Sequence, residues 1–139
     1  MQKATGFTLI ELLVTIAVMA VLAIGGFMAL DPMDKIKSAN DSKVQTDISQ
    51  LAEAMEAYSV AHTGVYAISF SLLQISGEIK IIPGAPNNYR VYSLSQTTGL
   101  PTSQSICGEM KAKKYAAAPN WVWCSSTNKM IALASCSCP

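Results

Sequence analysis

The amino-acid sequence predicts an α+β chain in which a long N-terminal helical spine, apolar in its first half and amphipathic in its second, packs on a small antiparallel β-sheet. Three observations carry that prediction. The run from Phe7 to Leu30 holds one charge, Glu11, and none after it. Val44, Ile48, Leu51, Met55 and Tyr58 then recur at spacings of four, three, four and three, which places them on one face of a helix. Beyond Gly64, short stretches rich in aromatic and β-branched residues alternate with polar and turn-forming ones, as strands do.

The first element is set by its length. As a helix the 24 residues from Phe7 to Leu30 would span about 36 Å, enough to cross a hydrocarbon core of about 30 Å. A cleavable secretory signal would offer Lys3 as its basic start and Ala23-Ile24-Gly25 as a small-x-small site, but its apolar core is usually shorter and does not open on a glutamate. An ordinary membrane anchor would also avoid Glu11, because an acid near the centre of a span costs about 2.5 to 3.5 kcal/mol on insertion scales, and less toward the edge. Snorkelling of Glu11 to the interface is the bland alternative.

A third reading gives Glu11 a task. The string Gly6-Phe7-Thr8-Leu9-Ile10-Glu11-Leu12-Leu13-Val14 resembles the processing site of type IV prepilins and the related pseudopilins. The resemblance implies cleavage by prepilin peptidase between Gly6 and Phe7, N-methylation of Phe7, and a role for Glu11 in assembly. It also implies an inner-membrane precursor that inner-membrane assembly machinery builds into an extracellular or periplasmic filament. The physics is consistent: a carboxylate in lipid is tolerable when a cation is brought to it, and the ammonium freed at Phe7 of a neighbouring copy is such a cation. Lys3 alone precedes the span while Lys35, Lys37 and Lys43 follow it, which is opposite to the positive-inside expectation for that orientation.

Asp31-Pro32 closes the apolar run. Either Asp31 caps a new helix with Pro32 at its first position, or Pro32 kinks a continuous one. The amphipathic stripe follows, with Lys43, Asp47, Ser49, Gln50, Glu53 and Glu56 expected on its other faces, and His62-Thr63-Gly64 supplies the stop. The stretch as far as Thr63-Gly64-Val65-Tyr66 looks like the second half of the pilin spine, so the likeness covers about the first 66 residues. Four segments are expected: a leader at 1–6, a membrane-spanning and polymerising half-helix at 7–30, an amphipathic half at 31–64 and a globular sheet region at 65–139. Family members often continue with a short helix and an Ile-Pro turn, for which 70–75 and Ile82-Pro83 are candidates.

Strands are predicted at Tyr89–Leu94, Trp121–Ser125 and Lys129–Ala134, with Ser126-Thr127-Asn128 as a hairpin turn and Gln96–Ser105 as a polar loop. The segment from Ile106 to Ala118 reads equally as helix or strand. The 139 residues leave room for one small domain behind the spine. Lys plus Arg is 10 against 9 for Asp plus Glu, so charge offers no general attraction to nucleic acid or an anionic surface.

Cys107, Cys124, Cys136 and Cys138 all fall in the last third, which with an export-type segment indicates disulfides in an oxidising compartment. Their spacing lacks the paired C-x2-C of zinc sites, and no cofactor or metal is expected. A bridge between Cys136 and Cys138 across one residue would be strained. Cys107 to Cys124 is the favoured pair, and a link from either to the tail, as in pilins whose C-terminal loop is stapled to the sheet, is the alternative.

The remaining candidates have plain readings beside sharper ones. Lys111, Lys113 and Lys114 next to Tyr115 could touch nucleic acid, a partner that some pilin relatives take up, but Glu109 beside them favours a solvated face. His62 is expected to face solvent and meet the last helix carbonyls, and Trp121 and Trp123 to share one strand face in the core, with adhesion by an anchored exported binding module through exposed aromatics as the minority reading. Gly25 and Gly26 would permit close packing or, as the resemblance to pilin cores implies, local unwinding in a filament, or simply be tolerated. Major pseudopilins of type II secretion resemble this chain but typically hold calcium, which needs several acidic oxygen ligands. Past Glu56 only Glu78 and Glu109 remain, which tilts the expectation toward a pilus subunit. No paired carboxylates, triad or metal cluster suggests an enzyme.

Overall fold

The computed structural model describes residues 6–28, 31–96 and 103–138. The residues of the expected leader before Gly6, the end of the apolar run at 29–30 and most of the expected polar loop lie outside them. The chain divides into two compact units, Met1–Lys35 and Ile36–Pro139.

In the first unit, helix α1 (Leu9–Met28) is the apolar run. Its large side chains from Leu9 to Ile24 are 52–84% exposed, an arrangement that water disfavours and lipid or other protein would accept. Helix α2 (Pro32–Ala61) begins afresh after Asp31. Asp31 has φ 42°, and its carbonyl accepts from the amides of Asp34 at 3.1 Å and Lys35 at 3.3 Å. Pro32 therefore occupies the first helical position, where its missing N–H costs nothing.

In the second unit, α2 carries the predicted stripe. Val44, Ile48, Leu51 and Met55 are wholly buried and Tyr58 nearly so. Each such side chain withdrawn from water contributes about 1.5–3 kcal/mol. The helix stops as expected: Gly64 takes φ 85° and its amide bonds the carbonyl of Ser59 at 2.8 Å, a left-handed terminus that glycine makes without strain. Helix α3 (Phe70–Ile75) follows, capped by Ser69, whose hydroxyl accepts from the Leu72 amide. It places Leu73 in the core.

Four antiparallel strands form one sheet in sequential order: β1 (Ser93–Gln96), β2 (Gln104–Glu109), β3 (Asn120–Cys124) and β4 (Lys129–Leu133). Register sorts the side chains. Leu94, Ile106 and Trp123 align across β1, β2 and β3, with Met130 opposite Trp123, and this face packs on α2. Ser93, Cys107, Val122 and Ile131 align on the other face.

Several expectations are corrected. Tyr89–Tyr92 precedes the first strand instead of belonging to it, and Gln104 and Ser105 belong to β2 and not to a loop. The undecided 106–118 segment begins as strand and ends in a 3-10 turn, η1 (Lys113–Tyr115). Its ambiguity has a cause: β2 is buried on both faces, so its sequence lacks the alternation that reveals a one-sided strand. Gly108 in β2 lies where sheet and helix come close together. A Cβ there would stand 2.6 Å from Cγ1 of Val44 and 3.2 Å from the Tyr92 ring.

Candidate functional site

Gly6, Phe7 and Thr8 precede the first turn of α1, and Phe7 is 74% exposed. Thr8 and Glu11 form a reciprocal cap. The Thr8 hydroxyl oxygen accepts from the Glu11 amide at 3.3 Å, while Oε2 of Glu11 accepts from the Thr8 amide at 3.1 Å and the Thr8 hydroxyl at 2.9 Å. This satisfies amides that a helix start leaves without partners. Glu11 is thus tied to the helix mouth while remaining exposed. Its spacing of three from a threonine was visible in the sequence. Among the described residues, apart from the helix's own backbone and the adjacent residues, none comes within 4 Å of a Cβ built at Gly25 or Gly26.

The favoured Cys107–Cys124 bridge does not form. Cys107 pairs with Cys136 and Cys124 with Cys138, at Cα separations of 5.6 and 5.9 Å. Register explains the correction. Cys124 stands opposite Ser105, and Cys107 opposite Val122, so the two cysteines share a face but are diagonal neighbours. Diagonal positions lie about 7–8 Å apart, beyond the usual disulfide span. The tail instead crosses the outer face and meets both, covering Val122 with Cys107, Cys124 and Leu133.

Two carboxylates that the sequence analysis did not assign to the core are buried. Asp41, fully enclosed, accepts from the Tyr89 hydroxyl at 2.8 Å, the Lys111 amide at 2.9 Å and the Ala112 amide at 2.8 Å. Asp47, expected on a face other than the apolar stripe, is 6% exposed and is held by Lys43 and by the Tyr92 hydroxyl, each at 2.5 Å. A buried carboxylate is stable only when its acceptors are used. Loss of hydration, and then the adjoining aspartates, push the Tyr89 and Tyr92 hydroxyls well above the ordinary tyrosine range. Tyr66 is raised too, by desolvation and then by Glu56, to which its hydroxyl donates.

Asp41 thereby fixes the segment that carries the lysines. Lys111 is occupied: its ammonium meets Glu109 at 3.5 Å, bonds the Asn88 carbonyl and lies 5.1 Å from the Tyr89 ring centroid. Lys113 and Lys114 are exposed on η1, and Tyr115 is tied to α2 by Gln45 at 2.6 Å. His62 is exposed, with Nδ1 2.9 Å from the Tyr58 carbonyl and its ring stacked 3.8 Å from that of Tyr58. Trp123 is buried against Tyr66 and Trp121 packs edge-on to Tyr115, so both tryptophans serve the core.

An exposed apolar helix opening on Gly-Phe-Thr and a capped glutamate fits an exported, pilin- or pseudopilin-like protein. Consistent with it, residues 1–27 match the family model described as the prokaryotic N-terminal methylation motif. The chain therefore carries a type IV prepilin-type cleavage and methylation motif, which implies prepilin peptidase as a processing partner and points to a structural subunit rather than an enzyme. Leu9–Gly26 is long and apolar enough to cross a membrane, as an inner-membrane precursor requires. Neither the curated proteins nor the solved structures contain a match.

Proposed function

We propose that this chain is a structural subunit of a type IV pilus-like extracellular filament, cut between Gly6 and Phe7, methylated at Phe7 and polymerised through its first helix. The processing string at the mouth of an exposed apolar helix is the observation that carries this reading. Residues 7–30 anchor the precursor in the inner membrane and later line the filament, 31–64 complete the spine, and 65–139 form the exposed sheet region. In the filament, Glu11 exchanges its bonds to Thr8 for the ammonium of a neighbouring Phe7, so a charge that is costly in lipid acquires an opposite charge. The scarcity of acids past Glu56 favours a pilus over a calcium-holding secretion pseudopilus.

Intact-mass analysis of the exported protein is expected to start at Phe7 with one added methyl group. A start at Met1 or after Gly25 would overturn the reading. Glu11→Val should insert into the membrane at least as well as the wild type yet fail to enter filaments, and its normal incorporation would remove the role given to Glu11.

A further inference from the structure

Helix α2 starts well before its packed stretch, since its first buried residue is Asp41. In the turns ahead of that residue Met33 and Ile36 are 62% and 56% exposed. They stand three residues apart on one helix face, with Lys35 and Lys37 on either side of it. Both lysines are exposed, and neither ammonium meets an acceptor among the described residues. Lys43 differs, being held by Asp47 and by the Gly84 carbonyl. Asp34, next to Lys35, is half-buried and has a partner of its own. Two open apolar side chains flanked by two free cations thus belong neither to the core nor to the apolar span.

Covalent connection limits what they can meet. Helix α1 ends at Met28 and α2 starts at Pro32, a stretch that full extension holds to about 14 Å. Each further residue of α2 adds only about 1.5 Å. When Leu9–Gly26 crosses the hydrocarbon, the turn that follows is therefore kept close to a headgroup layer about 5–7 Å thick. Interfacial helices are built in this way, with apolar side chains dipping toward the acyl boundary and lysine stems carrying their ammonium groups to the polar layer. A protein partner would have to bring acids to both lysines. The bilayer that holds α1 already brings phosphates to them.

We propose that Met33 to Lys37 form a lipid-binding turn in the headgroup layer on the exported side of the bilayer, with Met33 and Ile36 against the upper acyl carbons and the ammonium groups of Lys35 and Lys37 on phospholipid phosphates. The proposal rests on the reading of residues 7–30 as the membrane anchor. It gives a use to lysines that run against the positive-inside pattern: beyond the span they hold the emerging helix to the surface.

The test uses the full chain in vesicles of phosphatidylethanolamine and phosphatidylglycerol. A fluorescent amino acid is placed at position 24, 36 or 53, and its quenching by lipids brominated on the upper acyl carbons is measured. Position 24 reports the span, and position 53, exposed on the packed stretch of α2, is the control. Quenching at 36 should exceed that at 53 at least about threefold. Lys35→Glu with Lys37→Glu should lower the quenching at 36 about twofold or more and leave that at 24 unchanged. A photo-crosslinking residue at position 33 should join lipid. Non-reducing peptide maps showing both disulfides verify that each variant is folded. Equal quenching at 36 and 53, an unchanged signal in the lysine variant, or an adduct at 33 with a second copy instead of lipid overturns the contact while the anchor stands. Absence of quenching at 24 as well overturns the anchor reading, and the contact with it.

Discussion

Asp41→Asn tests whether a buried carboxylate organises the globular unit. Asn keeps Oδ1, which accepts from Tyr89 and Lys111, but places an NH2 where Oδ2 accepts from the Ala112 amide at 2.8 Å. A donor then faces a donor in a site with no solvent access. Stranding one buried N–H costs about 1–3 kcal/mol, so a loss of about 2 kcal/mol is expected. Asp41→Ala removes all three acceptor contacts. Tyr89 retains the Lys37 carbonyl at 3.2 Å, so the two amides dominate and the loss should reach about 3–5 kcal/mol. Urea unfolding of the full chain in micelles, followed by the fluorescence of Trp121 and Trp123, reads the second unit. With a slope of about 1–3 kcal/mol/M, Asp41→Asn should lower the midpoint by roughly 0.7–2 M. Hydrogen exchange at the Ala112 amide should accelerate in parallel. A midpoint unchanged in both variants would refute the reasoning.

Gly108→Ala should destabilise the second unit by about 1–3 kcal/mol through overpacking, since its Cβ would stand 2.6 Å from Val44. Combining it with Val44→Ala should cost less than the sum of the two single changes by at least about 0.5 kcal/mol, and additivity would place the clash elsewhere. At alkaline pH the tyrosines set the outcome. The fold holds Tyr89 and Tyr92 protonated, so their contribution is intact below the unfolded value of about 10 and is lost as pH rises above it. Tyr89→Phe with Tyr92→Phe should flatten that alkaline decline in denaturation midpoints, and an equally steep decline would contradict it.

The spine was legible because its information is local. A 4-3-4-3 stripe and a His-Thr-Gly stop need no tertiary context, and α2 follows both. The processing string is likewise contiguous. What escaped was set by partners far along the chain. Asp41 and Asp47 look like solvent-facing acids on a helix, and their burial depends on distant partners: Tyr89 and the amides of Lys111 and Ala112 for Asp41, and Tyr92 together with the local Lys43 for Asp47. The cysteine pairing depended on β2 against β3 register, which no spacing within one strand reveals, and β2 itself was obscured because the tail and α2 cover opposite faces of it.

That tail also measures. Cys107 and Cys124 are offset by two residues in the ladder, and Cys136 and Cys138 are separated by the same interval, so the Cys-Ser-Cys segment acts as a gauge laid across two strands. Sliding β3 by one residue along β2 would turn its cysteine to the opposite face, and sliding by two would change the offset so that the gauge no longer fits both marks. Only the correct alignment lets both bonds close together. Joined at both ends to β2 and β3, the tail ties the two cysteine bridges to this one alignment of the sheet.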